Sequence, residues 1–325
     1  MRTRCLWLAL VAVAQVVSWA PPVSAADGCA SGKPPAWFLG VVNDGEADAD
    51  TPPREDFVLD VDNFEAFLQA LRSTYCIPET AAAIYAFDGT FERNGRLYPA
   101  GSEINVKRAL RDFGPQARVT EDSTFFFFLS SHGIADVRFA CPGGARAVGS
   151  LSGLRSGFGQ DGDLYDCELG AELNTNFGSD VAMAIYADCS LCGGFSDSLT
   201  AVSGTVPDGS VPVPSGILGP NRVVVTGCAV TTECTGGSSG GRMYSDMIRR
   251  LTVEDCDGWT APNFPSVQGI GLPQRTGPQD GRCTASELHF AAVNSSYGRA
   301  DLIAIQQQYR IKYGPASLAD DVVIL

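Results

Sequence analysis

Histidine is nearly absent from this chain, which holds 2 among 325 residues. With so few imidazoles, and with no pair of CxxC motifs, a structural zinc site is not expected. Charge is also scarce: Asp, Glu, Lys and Arg make up 18% of the residues, against roughly 25% in a typical soluble domain. Gly, Ser, Thr and Pro fill the gap, which points to long ordered loops. The charge that remains is mostly of one sign, with 37 acidic against 23 basic residues and a net charge of -14. Such a field repels phosphate backbones and anionic lipid heads, so nucleic acid and membrane surfaces are not expected partners. Beyond the first segment no stretch approaches the ~20 apolar residues of a membrane span. No internal repeat is visible.

Hydrophobic residues, at 45%, are ample for a real core. The first segment reads as an export signal. Arg2 and Arg4 form a positive start, an apolar run from Leu6 to Val17 follows, and Val23-Ser24-Ala25 offers small residues for cleavage near Ala25. The expectation is therefore a signal peptide over 1–25 and an exported, extracellular or periplasmic chain. Of the 11 cysteines, Cys5 leaves with the signal and an even set remains, which suggests disulfides. Connectivity is not readable. Cys141 with Cys167, Cys228 with Cys234 and Cys256 with Cys283 are reasonable short-range pairs.

Residues 36–42 (AWFLGVV), 81–87 (AAAIYAF), 123–129 (STFFFFL), 180–187 (DVAMAIYA) and 222–226 (RVVVT) read as buried strands. The phenylalanine run lacks alternation, as a strand covered on both faces does. Helices are expected after an Asp62 N-cap, with Phe64, Phe67, Leu68 and Leu71 on one face, and over 104–113, ended by Gly114-Pro115. Two more are expected over 243–251 and 300–309. Residues 143–162 and 202–219 read as loops, and His289, in ELHFAAV, as a structural residue of a strand. Strands alternating with helices give an α/β fold with a parallel sheet.

In such sheets ligands bind beyond the carboxyl ends of the strands. There stand Ser130-Ser131-His132-Gly133 after the phenylalanine run and Asp188-Cys189-Ser190-Leu191-Cys192-Gly193-Gly194-Phe195 after the fourth run. FFFFLSSHG followed by YADCSLCGGF resembles the paired motifs of the caspase/legumain superfamily of cysteine peptidases. NRVVVTGCAVTTECTGGSSGGRMYSDMIRRL resembles the family's next strand, specificity loop and glycine-rich helix entry. The likeness runs over roughly residues 35 to 255.

This resemblance implies a caspase-like three-layer sandwich with a mainly parallel, six-stranded sheet. It implies a peptidase domain over 26–260, with a C-terminal extension over 261–325 packed on it. The expected substrate is a peptide or protein, and no cofactor or metal is implied. By the same resemblance His132 is the general base and acid, and Gly133 supplies an oxyanion N–H. A histidine beside a thiol raises its thiolate fraction or takes its proton during attack. Asp188, Thr226, Gly227 and Arg54 line the pocket for the side chain before the cut, a basic or an amide one.

The departure lies at the nucleophile. The family has Asp, any residue, then Cys, which places Ser190 on the nucleophile position and Cys192 where the family has Ser. Three readings stay open: a pseudopeptidase disabled by Ser190, a nucleophile shifted to Cys189, or a serine nucleophile at 190. Adjacent strand residues face opposite sides, which counts against Cys189. Cys189 and Cys192 also spell CxxC. A structural disulfide and, from another functional class, a redox site are its alternatives, and a non-catalytic peptide-binding scaffold is the rival to an enzyme.

Overall fold

The computed structural model describes residues 32–44, 52–136, 139–141, 144–146, 149–153, 162–190, 192–196, 215–228, 242–260, 274–297, 310–313 and 322–325, the side chains of 134–153, 242, 295–297 and 310–313 excepted. The expected signal segment and the expected helix over 300–309 lie outside these residues.

The chain alternates strand and helix through β1 (Ala36–Asn43), α1 (Glu55–Thr74), β2 (Ala82–Ala86), α2 (Glu103–Arg118), β3 (Thr124–Ser131), α3 (Asp166–Asn176) and β4 (Ala182–Asp188). It continues with β5 (Arg222–Thr226), α4 (Arg242–Arg249), α5 (Ala285–Tyr297) and β6 (Arg310–Tyr313). The central sheet has the order β6-β5-β4-β3-β1-β2. Strands β2, β1, β3, β4 and β5 run parallel. The sixth, β6, is antiparallel to β5 and closes that edge. This is an α/β sandwich with a mainly parallel sheet, as the strand pattern requires: five parallel strands, with the sixth supplied by a segment the sequence reading did not assign to the sheet.

The phenylalanine run explains its own lack of alternation. Phe126 and Phe128 pack into one core layer with Phe64, Phe67 and Tyr244. Phe125, Phe127 and Leu129 pack into the other with Leu110, Leu173 and Phe177. Both faces of β3 are therefore dry, and every residue of the strand is buried. Helices α1, α4 and α5 cover the first face, and α2 and α3 the second.

Several boundaries differ from expectation. Helix α1 starts at Glu55, seven residues before the expected cap at Asp62. Glu55 and Asp56 place negative charge at its positive end, and Asp62, inside the helix, pairs with Arg93 at 2.6 Å. Helix α2 runs through Gly114-Pro115 to Arg118. The proline removes one helical hydrogen bond, while Gly114 lets α2 approach α3 so closely that an added Cβ would lie 2.5 Å from Cβ of Asn176. Ser102 precedes α2 without a side-chain cap bond.

The segment expected to be loop over 143–162 contains a strand, Gly149–Gly153, which pairs with Gly133–Asp136 and Asp163–Tyr165 in a small antiparallel sheet. ELHFAAV is helical rather than extended, because Thr284 and Glu287 form a reciprocal cap. Thr284 N–H donates to Glu287 Oε2 at 2.9 Å, and Glu287 N–H donates to Thr284 Oγ1 at 3.3 Å. Among the described residues no helix is long and apolar enough to cross a membrane.

Candidate functional site

The strand order 2-1-3-4-5 reverses direction between β1 and β3, so the carboxyl ends of β1, β3 and β4 form the crevice of the sheet. Register carries the sequence motifs there. Ser130 of β3 lies opposite Asp188 of β4, and the two chains leave the sheet side by side. Gly133 then packs directly on the turn after β4. A Cβ at position 133 would overlap the carbonyl oxygen of Ser190 and sit 3.0 Å from Cβ and 3.3 Å from Sγ of Cys189. Only glycine fits, so the His132-Gly133 and Asp188-Cys189-Ser190 segments are brought together as their order in the sequence suggested.

His132 is half-buried. Its ring meets Phe57 of α1 edge-on, with centroids 5.1 Å apart, and Nε2 is buried without a hydrogen-bond partner. Among the described residues no carboxylate hydrogen-bonds to this ring. The Arg54 guanidinium lies over the other partner in the stack, 5.6 Å from the centroid of Phe57. Arg54 also pairs with Asp56 at 2.9 Å, and its backbone N–H donates to Asp44 at 3.0 Å.

The thiol question has a definite geometry. Cys189 and Cys192 are joined in a disulfide, with Cα atoms 5.4 Å apart. Both are buried, and both belong to the core layer of Leu129 and Ala187, across the sheet from Phe57. The alternation of strand side chains turns residue 189 away from the histidine face, as anticipated for a one-residue shift. Ser190, one position on, is half-buried beside Gly133. Cys256 and Cys283 form a second disulfide, one of the three expected pairs. Cys76, Cys167 and Cys228 are disulfide-bonded too, and the partners expected for the last two, Cys141 and Cys234, lie outside the side chains described.

Asp188 is the most perturbed acid of the site. It is buried, one oxygen accepts the Met243 backbone N–H at the start of α4, and Oδ2 is buried with no partner. Burial, aided by the nearby charge of Asp56, pushes its pKa up to about 7. Gly227 makes room for this carboxyl: a side chain there would overlap Asp188 Oδ1. Gly227 itself donates its N–H to the Ala187 carbonyl at 2.9 Å. Thr226, by contrast, is fully buried, and its hydroxyl donates to the Cys228 carbonyl at 3.1 Å. It is part of the wall's interior and presents no free hydroxyl to a ligand.

Four residues of the site were not singled out from the sequence. Asp60 accepts the Ser130 hydroxyl at 2.6 Å and tethers α1 to the end of β3. Tyr244 of α4 donates to the carbonyls of Leu129 and Tyr186, at 2.6 and 3.1 Å, and pins α4 to both strand ends. Phe57 and Asp56 complete the set. The usable signal was the acid-rich stretch Glu55-Asp56 so soon after β1. Among the described residues no group of three or more His, Cys, Asp or Glu side chains is arranged to hold a metal ion.

No family model matches the sequence, and no curated protein does. Solved structures that resemble the fold include protein GSU0716 from Geobacter sulfurreducens, at 13% identity over 88% of this chain and 95% of that one, with a TM-score of 0.47. They also include pro-sf-caspase-1, at 7% identity over 67% and 72%, with a TM-score of 0.35. The Drosophila initiator caspase Dronc aligns at 10% identity over 68% and 67%, with a TM-score of 0.34.

Proposed function

We propose that this chain is an exported protein of caspase/legumain-like descent that binds peptides without cleaving them. One observation carries the reading: Cys189, the cysteine packed beside Gly133 among the described residues, is bonded to Cys192 and lies in the core layer across the sheet from Phe57. Ser190 stands at the nucleophile position. A hydroxyl is far less acidic than a thiol, and an imidazole without an orienting carboxylate activates it poorly. The buried positions of both sulfurs also count against a redox catalyst, whose attacking thiol must reach its substrate.

The retained features serve recognition. Asp188, buried with one oxygen unpartnered, supplies the acidic floor for a basic or amide side chain; Asp56 is near enough to act on its charge and is itself paired with Arg54. Gly133 leaves the backbone close to whatever lies over the Ser190 turn. Disulfides throughout the described chain suit an oxidising compartment, in keeping with the export signal read from the first segment.

The test replaces Ser190 by Cys and follows fluorogenic peptides bearing Arg, Lys or Asn before the reporter. The wild type is expected to bind them without turnover, and Ser190→Cys to hydrolyse them measurably. Turnover by the wild type that Ser190→Ala abolishes would show a working serine nucleophile and overturn the reading.

A further inference from the structure

We infer that the Cys189–Cys192 disulfide is a redox-sensitive brace that keeps the peptide site assembled. The inference rests on the proposed peptide-binding role but is read from a different contact. The cystine lies directly beneath Gly133: the position a Cβ would take there is 3.3 Å from Sγ of Cys189, and the same spot is filled from the other side by the Ser190 carbonyl. Both sulfurs are fully enclosed, in a layer that includes Leu129, Ala187 and Phe195.

Bonded sulfurs lie about 2.05 Å apart, whereas non-bonded heavy atoms settle at about 3.5–4 Å. Opening the bond therefore demands extra room in a fully buried layer. Gly133 packs against this turn, so the displacement bears on it. Movement there lifts Ser190 away from the His132-Gly133 segment and breaks the juxtaposition on which binding depends. The chemistry balances with a dithiol as reductant. Its two thiols supply two electrons and two protons, the Cys189–Cys192 bond breaks, two cysteine thiols form, and the dithiol closes to its own disulfide. Because the sulfurs are enclosed, attack proceeds through local opening of the turn.

The two histidines make a direct readout possible. Burial lowers the pKa of His289 to about 3, so this ring stays neutral and silent from pH 5 to 8. The imidazole resonance of His132, assigned with His132→Gln, then reports the site independently of any peptide. The full chain is treated with increasing dithiothreitol, free thiols are alkylated and mapped, and peptide affinity and the His132 resonance are followed together. The variant Cys189→Ala/Cys192→Ala, in which the other disulfides are untouched, is run in parallel.

The expected result is a fall in peptide affinity of at least tenfold and a shifted His132 resonance, appearing as 189 and 192 become alkylated and reversing on reoxidation. The double variant, which has no sulfurs to force apart, should keep the oxidised resonance and show no response to dithiol. An unmoved resonance in the reduced wild type, or a response to dithiol that persists in the double variant, overturns the brace. Should the wild type bind no peptide at all, the peptide-binding role fails, while the resonance still decides the brace.

Discussion

At the scale of single residues, two buried titrating groups, Asp188 in the site and His289 in α5, have opposite effects on stability. Asp188 has its pKa raised to about 7 from 3.8 by burial. The folded state thus holds a proton that the unfolded state has lost, and the resulting stabilisation is present below about pH 3.8 and disappears as pH rises through 7. His289 has its pKa lowered from 6.5 to about 3. Its contribution is present above pH 6.5 and is lost as pH falls toward 3. Asp188→Asn keeps an acceptor for the Met243 N–H and removes the buried charge. It is expected to raise stability at pH 8 by about 1–3 kcal/mol and to give no gain at pH 4, read from urea midpoints. The same variant should weaken binding of peptides with a basic side chain. His289→Gln should flatten the loss of stability between pH 6 and pH 4.

Gly133 is the most constrained position of the site, since the atoms it would meet include a backbone carbonyl rather than the end of a flexible chain. Gly133→Ala is expected to cost about 1–3 kcal/mol through overpacking and to lower peptide affinity by displacing the Ser190 turn. Urea unfolding and a binding titration measure the two effects separately.

At the scale of elements, the five parallel strands were legible because burial on both faces writes itself as continuous apolar runs, most plainly in Phe125 to Leu129. The juxtaposition of His132-Gly133 with Asp188-Cys189-Ser190 was legible for a related reason: both motifs sit just past strands that turn out to be neighbours. Helix boundaries were less so. An N-cap at Asp62 is locally reasonable, but the helix extends back to Glu55 because Phe57 and Val61 find core partners there, a tertiary gain that no local signal announces. ELHFAAV has apolar content suited to either state, and the arbiter is the Thr284-Ala285-Ser286-Glu287 cap just ahead of it. Glu287 also accepts the Gly258 N–H at 2.8 Å. Glu287→Ala is therefore expected to cost about 1–2 kcal/mol, seen as a lowered melting temperature with peptide binding unchanged. The sheet pairing of β6 was invisible for want of any long-range signal in RIKY.

At the scale of the whole molecule, the two described disulfides do different jobs. Cys256–Cys283 closes a loop of 27 residues, which chain entropy values at about 3.5 kcal/mol, against about 2 kcal/mol for a bridge between residues three apart. The longer bridge ties the segment after α4 to the start of α5 on the face away from Cys189. Cys256→Ala/Cys283→Ala should destabilise the protein more than Cys189→Ala/Cys192→Ala does, yet leave the His132 resonance in place. Chemical denaturation paired with that resonance separates a staple from a brace.

Strand β3 lies between β1 and β4, hydrogen-bonded along both edges and dry on both faces. Its amides have no route to solvent short of dismantling the sheet, so Phe126 to Leu129 should be the last to take up deuterium. The histidine loop is thus mounted on the slowest-opening part of the protein, and any give on ligand arrival must come from the opposite wall.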